Sequence, residues 1–142
     1  MRAYIKFLPL LFIYITIVYL FSSETLVDDE IRYPRFAQNL LNGFYTTSDP
    51  YKINLWNGPG YPIILMPFVL LNLTWFTARL LNAFFLFGTI ICFYQTLRIY
   101  INQRHAFYIS FFMGMYPPMM REVYLLLTEP VTFFLISAFI LC

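Results

Sequence analysis

Charge is scarce in this chain. Only 11% of the residues are Asp, Glu, Lys or Arg, where a soluble domain carries roughly 25%, and the shortage excludes an ordinary water-solvated fold. Cysteine is almost absent: Cys92 lies in an apolar run and Cys142 at the last position. Neither has metal-ligand or disulfide-framework spacing, so both read as packing or lipid-facing residues. The single histidine, His105, stands among basic residues with no partner ligand nearby, which argues against a metal role. Glycine occurs five times and forms no glycine-rich phosphate loop, so nothing marks a site for a cytosolic sugar nucleotide. A net charge of +2 carries no message for nucleic acid, and no nucleic-acid partner is expected.

What fills the chain instead is oil. Hydrophobic residues make up 61% of it and aromatic residues 22%, with 17 Phe and 12 Tyr. So many rings suit helices that meet lipid and the interface belts of a bilayer. The expected fold is all-α: a polytopic transmembrane helical protein whose external first loop contains a short interfacial helix. The expected division is a span at about 5–22, an external loop at 23–61, hydrophobic segments at about 62–76, 80–98 and 106–120, and a span from 131 that the chain leaves incomplete. Arg2 and Lys6 precede the first span and put its start in the cytoplasm under the positive-inside rule. A signal peptide has the same basic and apolar layout. No small-residue cleavage site follows Leu20, which favours an uncleaved anchor. Arg79 reads as a membrane boundary, and Arg98, Arg104 and His105 form a basic patch between later runs. Because the run from Val131 stops at Cys142, too soon to span, the chain reads as the N-terminal part of a longer protein.

The loop at 23–61 holds Glu24, Asp28, Asp29, Glu30 and Asp49, five of the seven acids. Pro34 suits a first helical position, Phe36, Leu40 and Phe44 recur at helical spacing, and Gly43 can end a helix in the left-handed conformation. This pattern predicts a helix near residues 34–42 lying on the membrane surface. The stretch after it is rich in turn formers and ends in Pro59-Gly60-Tyr61-Pro62, which returns the chain to the bilayer.

Two topologies compete. If 62–76 crosses completely, Arg98 and Arg104 fall outside, against the charge rule. If that run, interrupted by Pro67, only dips into the membrane, the basic patch falls inside and Arg121, Glu122 and Glu129 emerge on the face of the Asp28 loop. The second arrangement is the preferred one, because it alone puts both acidic sites on one face.

The order of motifs carries a resemblance. One span is followed by Asp29-Glu30-x-x-Tyr33, with Ala37, Leu41 and Gly43 downstream. Pro59-Gly60-Tyr61-Pro62 then opens a hydrophobic run, Arg79 and Asn82 follow, and Tyr116-Pro117 leads to Thr128-Glu129-Pro130. The whole chain resembles the N-terminal part of the C-type membrane glycosyltransferases, among them the bacterial relatives of dolichyl-phosphate-mannose protein mannosyltransferases (glycosyltransferase family 39-like) and the aminoarabinose lipid A transferases. The resemblance implies a hexosyl- or pentosyltransferase of the cell envelope, embedded in a bacterial inner or plasma membrane with its active loop outside the cytoplasm. It implies transfer of a sugar from a polyprenyl-phosphate donor to a lipid, glycan or protein acceptor with inversion, and little activity from these 142 residues alone. In such families an acid of the first external loop works at the reaction centre. Carried over, that role falls on Asp29 as general base, flanked by Asp28 and Glu30. Substrate contacts fall on Arg32, Tyr33, Arg121 and Glu129. Asn57-Gly58 stands where the aminoarabinose transferases have a Lys, so the resemblance does not name the donor sugar. No cofactor is required by it, though the acids could hold a divalent cation.

Each residue also has a plainer reading. An acid trio after an anchor is commonly a solvated loop, and Arg32 and Arg35 can meet lipid headgroups. Glu129 sits between apolar runs, where an acid is expensive and tends to line a cavity. Asn72-Leu73-Thr74 matches a glycosylation acceptor but falls at the membrane. Two other function classes fit the composition, a polytopic transporter and a small non-enzymatic membrane subunit. A transporter would place its charges at mid-membrane in broken helices.

Overall fold

The computed structural model describes residues 2–46 and 58–142, apart from the side chains of residues 2, 3 and 28. Asp49 and Asn57 lie outside the described residues. The described residues are helical, with no strand among them: α1 (Arg2–Ile5), α2 (Leu8–Phe21), a 3-10 turn (Asp28–Ile31), α3 (Arg32–Leu41), α4 (Gly60–Leu70), α5 (Trp75–Tyr100), α6 (Gln103–Gly114), α7 (Pro117–Val123) and α8 (Glu129–Leu141). They form two compact units. One comprises Met1–Ser22 with Arg79–Cys142, the other Ser23–Ala78.

In the first unit, Phe7, Leu10, Tyr14 and Val18 recur at helical spacing and are completely buried. On α5 the stripe Ala83, Leu86, Ile90 and Tyr94 is buried in the same way. The Phe7 ring lies 5.0 Å from both Tyr94 and Phe107, which joins the start of α2 to α5 and α6. Small residues let α6 approach closely: Ala106, Ser110 and Gly114 share one buried face. Tyr14 donates its phenolic hydrogen to the Gly114 carbonyl at 2.8 Å. A Cβ at Gly114 would stand 2.7 Å from Leu10 Cδ1, so a larger residue there would force neighbouring side chains to shift. Gly88 on α5 is similarly confined, since a Cβ would meet the Phe134 ring of α8 at 2.8 Å.

Several of these helices are apolar on their outer faces too. Phe12, Leu20, Phe84, Leu135 and Phe139 are all exposed, Phe139 to 83%. A protein bathed in water rarely shows so much exposed oil. Among the described residues α5 is the one helix long and apolar enough to cross a membrane, at 26 residues. α2, α4 and α8 are apolar but shorter.

The boundaries differ from the sequence expectation in ways that local chemistry explains. The run at 62–76 is not one helix. α4 spans 11 residues, or ~16 Å against a ~30 Å hydrocarbon core, and a turn with Asn72 at φ 49° separates it from α5. The run at 80–98 begins earlier than expected, at Trp75, so Arg79 falls inside the helix and does not divide two runs. Nor does Arg79 mark a boundary in contact with water: it is 2% exposed. Asn82, one helical turn on, is also buried and donates to the Leu125 carbonyl at 2.7 Å. The run at 106–120 breaks at Met115 and Tyr116, because a residue before proline is pushed out of the helical region and Pro117-Pro118 starts α7 afresh. The last helix starts at Glu129 and not at 131, with a proline in its first turn. At the N-terminus, α1 and α2 replace a single helix over 5–22.

In the second unit α3 packs against α4 and against the 3-10 turn. α3 begins at Arg32, two residues before Pro34, and buries Pro34, Phe36 and Ala37 while Arg32, Arg35 and Gln38 face outward. This is the amphipathic helix the periodicity predicts. It ends at Asn42, and Gly43 follows at φ 87°, a left-handed conformation that glycine adopts without steric cost. Asn39 then donates to the Thr46 carbonyl at 2.7 Å and holds the chain leaving the helix.

Candidate functional site

The acid cluster is built by a single turn. Residues Asp28–Ile31 form the 3-10 helix, in which Glu30 N donates to the Val27 carbonyl at 3.0 Å. The three acids do different things there. Glu30 is 4% exposed, and its Oε2 accepts from Val27 N at 3.4 Å, so this carboxylate closes the turn that carries it. Asp29 points the other way: 61% of its side chain is exposed. Its Oδ1 lies 3.1 Å from Arg32 Nη1, an ion pair spanning one helical turn. Asp28 has a described backbone, while its side chain is outside the described set.

An exposed pair of this kind contributes only ~0–1 kcal/mol to stability. Its interest is chemical. One carboxylate oxygen engages Arg32 and the other remains open to a proton donor, while the guanidinium keeps four further N–H donors for an anion.

Beside this pair lies an aromatic cluster. Tyr33 meets Tyr61 edge to face, with ring centroids 5.3 Å apart. Phe36 stacks on Tyr45 at 4.6 Å. Burial, and then the neighbouring Tyr33 phenol, push the Tyr45 hydroxyl above its ordinary value, so it stays protonated and able to donate. Tyr61 is 5% exposed and belongs to Pro59-Gly60-Tyr61-Pro62. The two motifs that stand far apart in the sequence therefore meet through these rings.

The first unit holds the other two residues singled out from sequence. Arg121 is exposed near the end of α7. Glu129 is half-buried in the first turn of α8, where a carboxylate offsets the positive end of the helix dipole. Thr128 Oγ1 donates to Glu129 Oε2 at 3.4 Å. Glu122, which the sequence reading grouped with Arg121 and Glu129 without giving it a role, is their neighbour. Burial, then the nearby Glu129 carboxylate, raise its pKa from the ordinary value, with Arg121 opposing. Asp29, Glu30, Arg32 and Tyr33 thus share one unit, and Arg121, Glu122 and Glu129 share the other.

Sequence reasoning also missed Glu24, which it counted among the loop acids without a role. Its Oε2 accepts from Trp75 N at 3.1 Å and its Oε1 from Phe76 N at 3.3 Å, so one side chain caps the first turn of α5. No spacing rule reaches across 51 residues to find that contact. The only local signal was an acid without an obvious partner.

No group of three or more His, Cys, Asp or Glu side chains among the described residues is placed to hold a metal ion. No protein-family model, no curated protein and no solved structure matches the chain.

Proposed function

We propose that this chain belongs to a polytopic membrane glycosyltransferase of the C-type class. It moves a sugar from a polyprenyl-phosphate donor to a lipid, glycan or protein acceptor on the external face of the membrane. The observation that carries the reading is the exposed Asp29 carboxylate, held by Arg32 at 3.1 Å on a turn whose next helix joins the Pro-Gly-Tyr-Pro motif through Tyr33 and Tyr61. The apolar outer faces of α2, α5 and α8 support an environment of lipid for the rest of the chain. In a multi-pass arrangement α5 crosses the membrane, the apolar α2 and α8 contribute further membrane segments, and α4 dips.

The chemistry follows from those groups. Asp29 takes the proton of the acceptor hydroxyl as its oxygen attacks the anomeric carbon from the face opposite the phosphate. The bond from anomeric carbon to phosphate oxygen breaks, the electron pair leaves with polyprenyl phosphate, and the sugar is inverted. Arg32 meets the negative charge that grows on the leaving phosphate, a role that the resemblance also offers to Arg121. Tyr33 and Tyr45, both half-buried, offer rings and hydroxyls suited to a sugar face, with the buried Tyr61 bracing Tyr33 from behind.

The decisive experiment is transfer from a polyprenyl-phosphate sugar in native membranes, normalised to protein abundance. Asp29→Asn keeps size and most hydrogen bonding but has no useful basicity, so a loss of ~10² to 10⁴-fold is expected. Asp28→Asn should lose less. Wild-type transfer by Asp29→Asn would remove the assignment, and a larger effect at Asp28 would move it by one position.

A further inference from the structure

The transfer reading makes no use of a polar cleft in the first unit. Lys6, Tyr94, Gln103, Arg104, Phe107 and Tyr108 line a cleft of about 450 Å³. Two of these residues are cations and none is an acid. A third cation adjoins it, since the Arg98 guanidinium stands over the Tyr94 ring at 5.6 Å. Lys6 Nζ lies 5.9 Å from the centre of the Phe107 ring. Lys6 and Arg104 share the lining of this cleft, and no Asp or Glu is among its described lining residues. Arg104 also lies in the first turn of α6, which holds no acid. Asn102 caps that helix, its Oδ1 accepting from His105 N at 3.0 Å, and this uncharged cap leaves the positive end of the helix dipole beside the cations.

Like charges gathered this way repel unless an anion joins them. The walls of the cleft say which anion suits. Tyr94, Phe107 and Tyr108 give it apolar sides of the kind that sit at headgroup level in a bilayer, next to donors from Lys6, Gln103 and Arg104. We propose that this cleft binds a phosphate group, supplied by the headgroup of an anionic phospholipid whose glycerol and upper acyl carbons lie along the aromatic walls. Lys6 and Arg104 hold the phosphate oxygens, and Arg98, braced on Tyr94, adds long-range attraction.

The test is native mass spectrometry of the 142-residue chain released from nanodiscs containing equal phosphatidylglycerol and phosphatidylcholine, repeated with millimolar inorganic phosphate. Each cation near an anionic lipid surface adds roughly fivefold to affinity. The chain should therefore retain phosphatidylglycerol over phosphatidylcholine by roughly 25-fold through Lys6 and Arg104, and Lys6→Gln with Arg104→Gln should bring the ratio near one. Lys6→Arg with Arg104→Lys should restore it, which separates charge from loss of packing, and circular dichroism should show equal helicity in all three proteins. Retention that survives inorganic phosphate assigns the site to a lipid. Displacement by it keeps the phosphate chemistry and names a soluble source. Equal retention of both lipids by the unaltered chain, or an unchanged preference in the Gln variant, would overturn the proposal.

Discussion

Tyr33 and Tyr61 meet edge to face with centroids 5.3 Å apart, and that contact ties the helix following the acidic turn to the start of α4. An aromatic pair of this geometry is worth ~0.5–1.5 kcal/mol beyond the area it buries. Tyr61 is almost fully buried, so its removal also leaves a cavity. Tyr61→Ala should destabilise the second unit by ~3–5 kcal/mol, while Tyr61→Phe keeps the ring and most of the stability. Hydrogen exchange over residues 32–41 and 60–70 reads the difference. Protection equal to wild type in Tyr61→Ala would show that the ring contact holds nothing.

Glu24 supplies two hydrogen bonds to the first turn of α5, at 3.1 and 3.3 Å. Glu24→Ala should cost ~0.5–2 kcal/mol, the usual range for a lost helix cap. Its amides at Trp75 and Phe76 should exchange faster, and those in the middle of α5 should not change. Glu24→Gln should fall between, because the amide keeps one acceptor and loses the charge that favours the helix start.

Gly114 is closely packed on three sides. A methyl group there would stand 2.7 Å from Leu10 Cδ1, 2.9 Å from the Tyr14 hydroxyl and 3.3 Å from Ile90 Cγ1. Gly114→Ala should therefore destabilise by ~1–3 kcal/mol through overpacking, outweighing the ~1 kcal/mol that alanine gains over glycine within a helix. Thermal unfolding in detergent checks it. A variant as stable as wild type would mean that α2 and α6 can move apart freely.

Glu122 gives a pH signature. Its pKa is raised in the folded protein by burial and by Glu129, against Arg121. A raised carboxylate pKa means that folding favours the protonated form. The group imposes no penalty below the ordinary value of 4.5 and a growing one as pH rises through the folded value. Glu122→Gln should thus be more stable than wild type near neutral pH, with the advantage vanishing below about pH 4. Glu129→Gln should shrink that advantage by removing the neighbouring charge. An advantage that is constant from pH 4 to 8 would rule out the titration.

The sequence alone determined the helical class and the apolar character, because a charge content of 11% and long apolar runs leave little else. It also determined the amphipathic helix after the acidic turn, since Pro34, the apolar spacing and Gly43 are local signals that act within a few residues. Helix ends were less legible. An apolar run such as 62–76 has no period that marks where lipid-facing helix becomes turn, and only the folded chain puts Asn72 at φ 49° and breaks it there. Tertiary structure alone decided the fates of the three acids at the turn: Glu30 folds inward onto Val27, while Asp29 is left outward with Arg32. It likewise decided that Arg79 is buried, that Glu24 caps a helix 51 residues away and that Gly114 sits against Leu10 and Tyr14 with no room for a Cβ unless they shift. These are contacts between distant parts of the chain, set by which surfaces meet on packing, and hydrophobic patterning specifies which face is buried without specifying its partner.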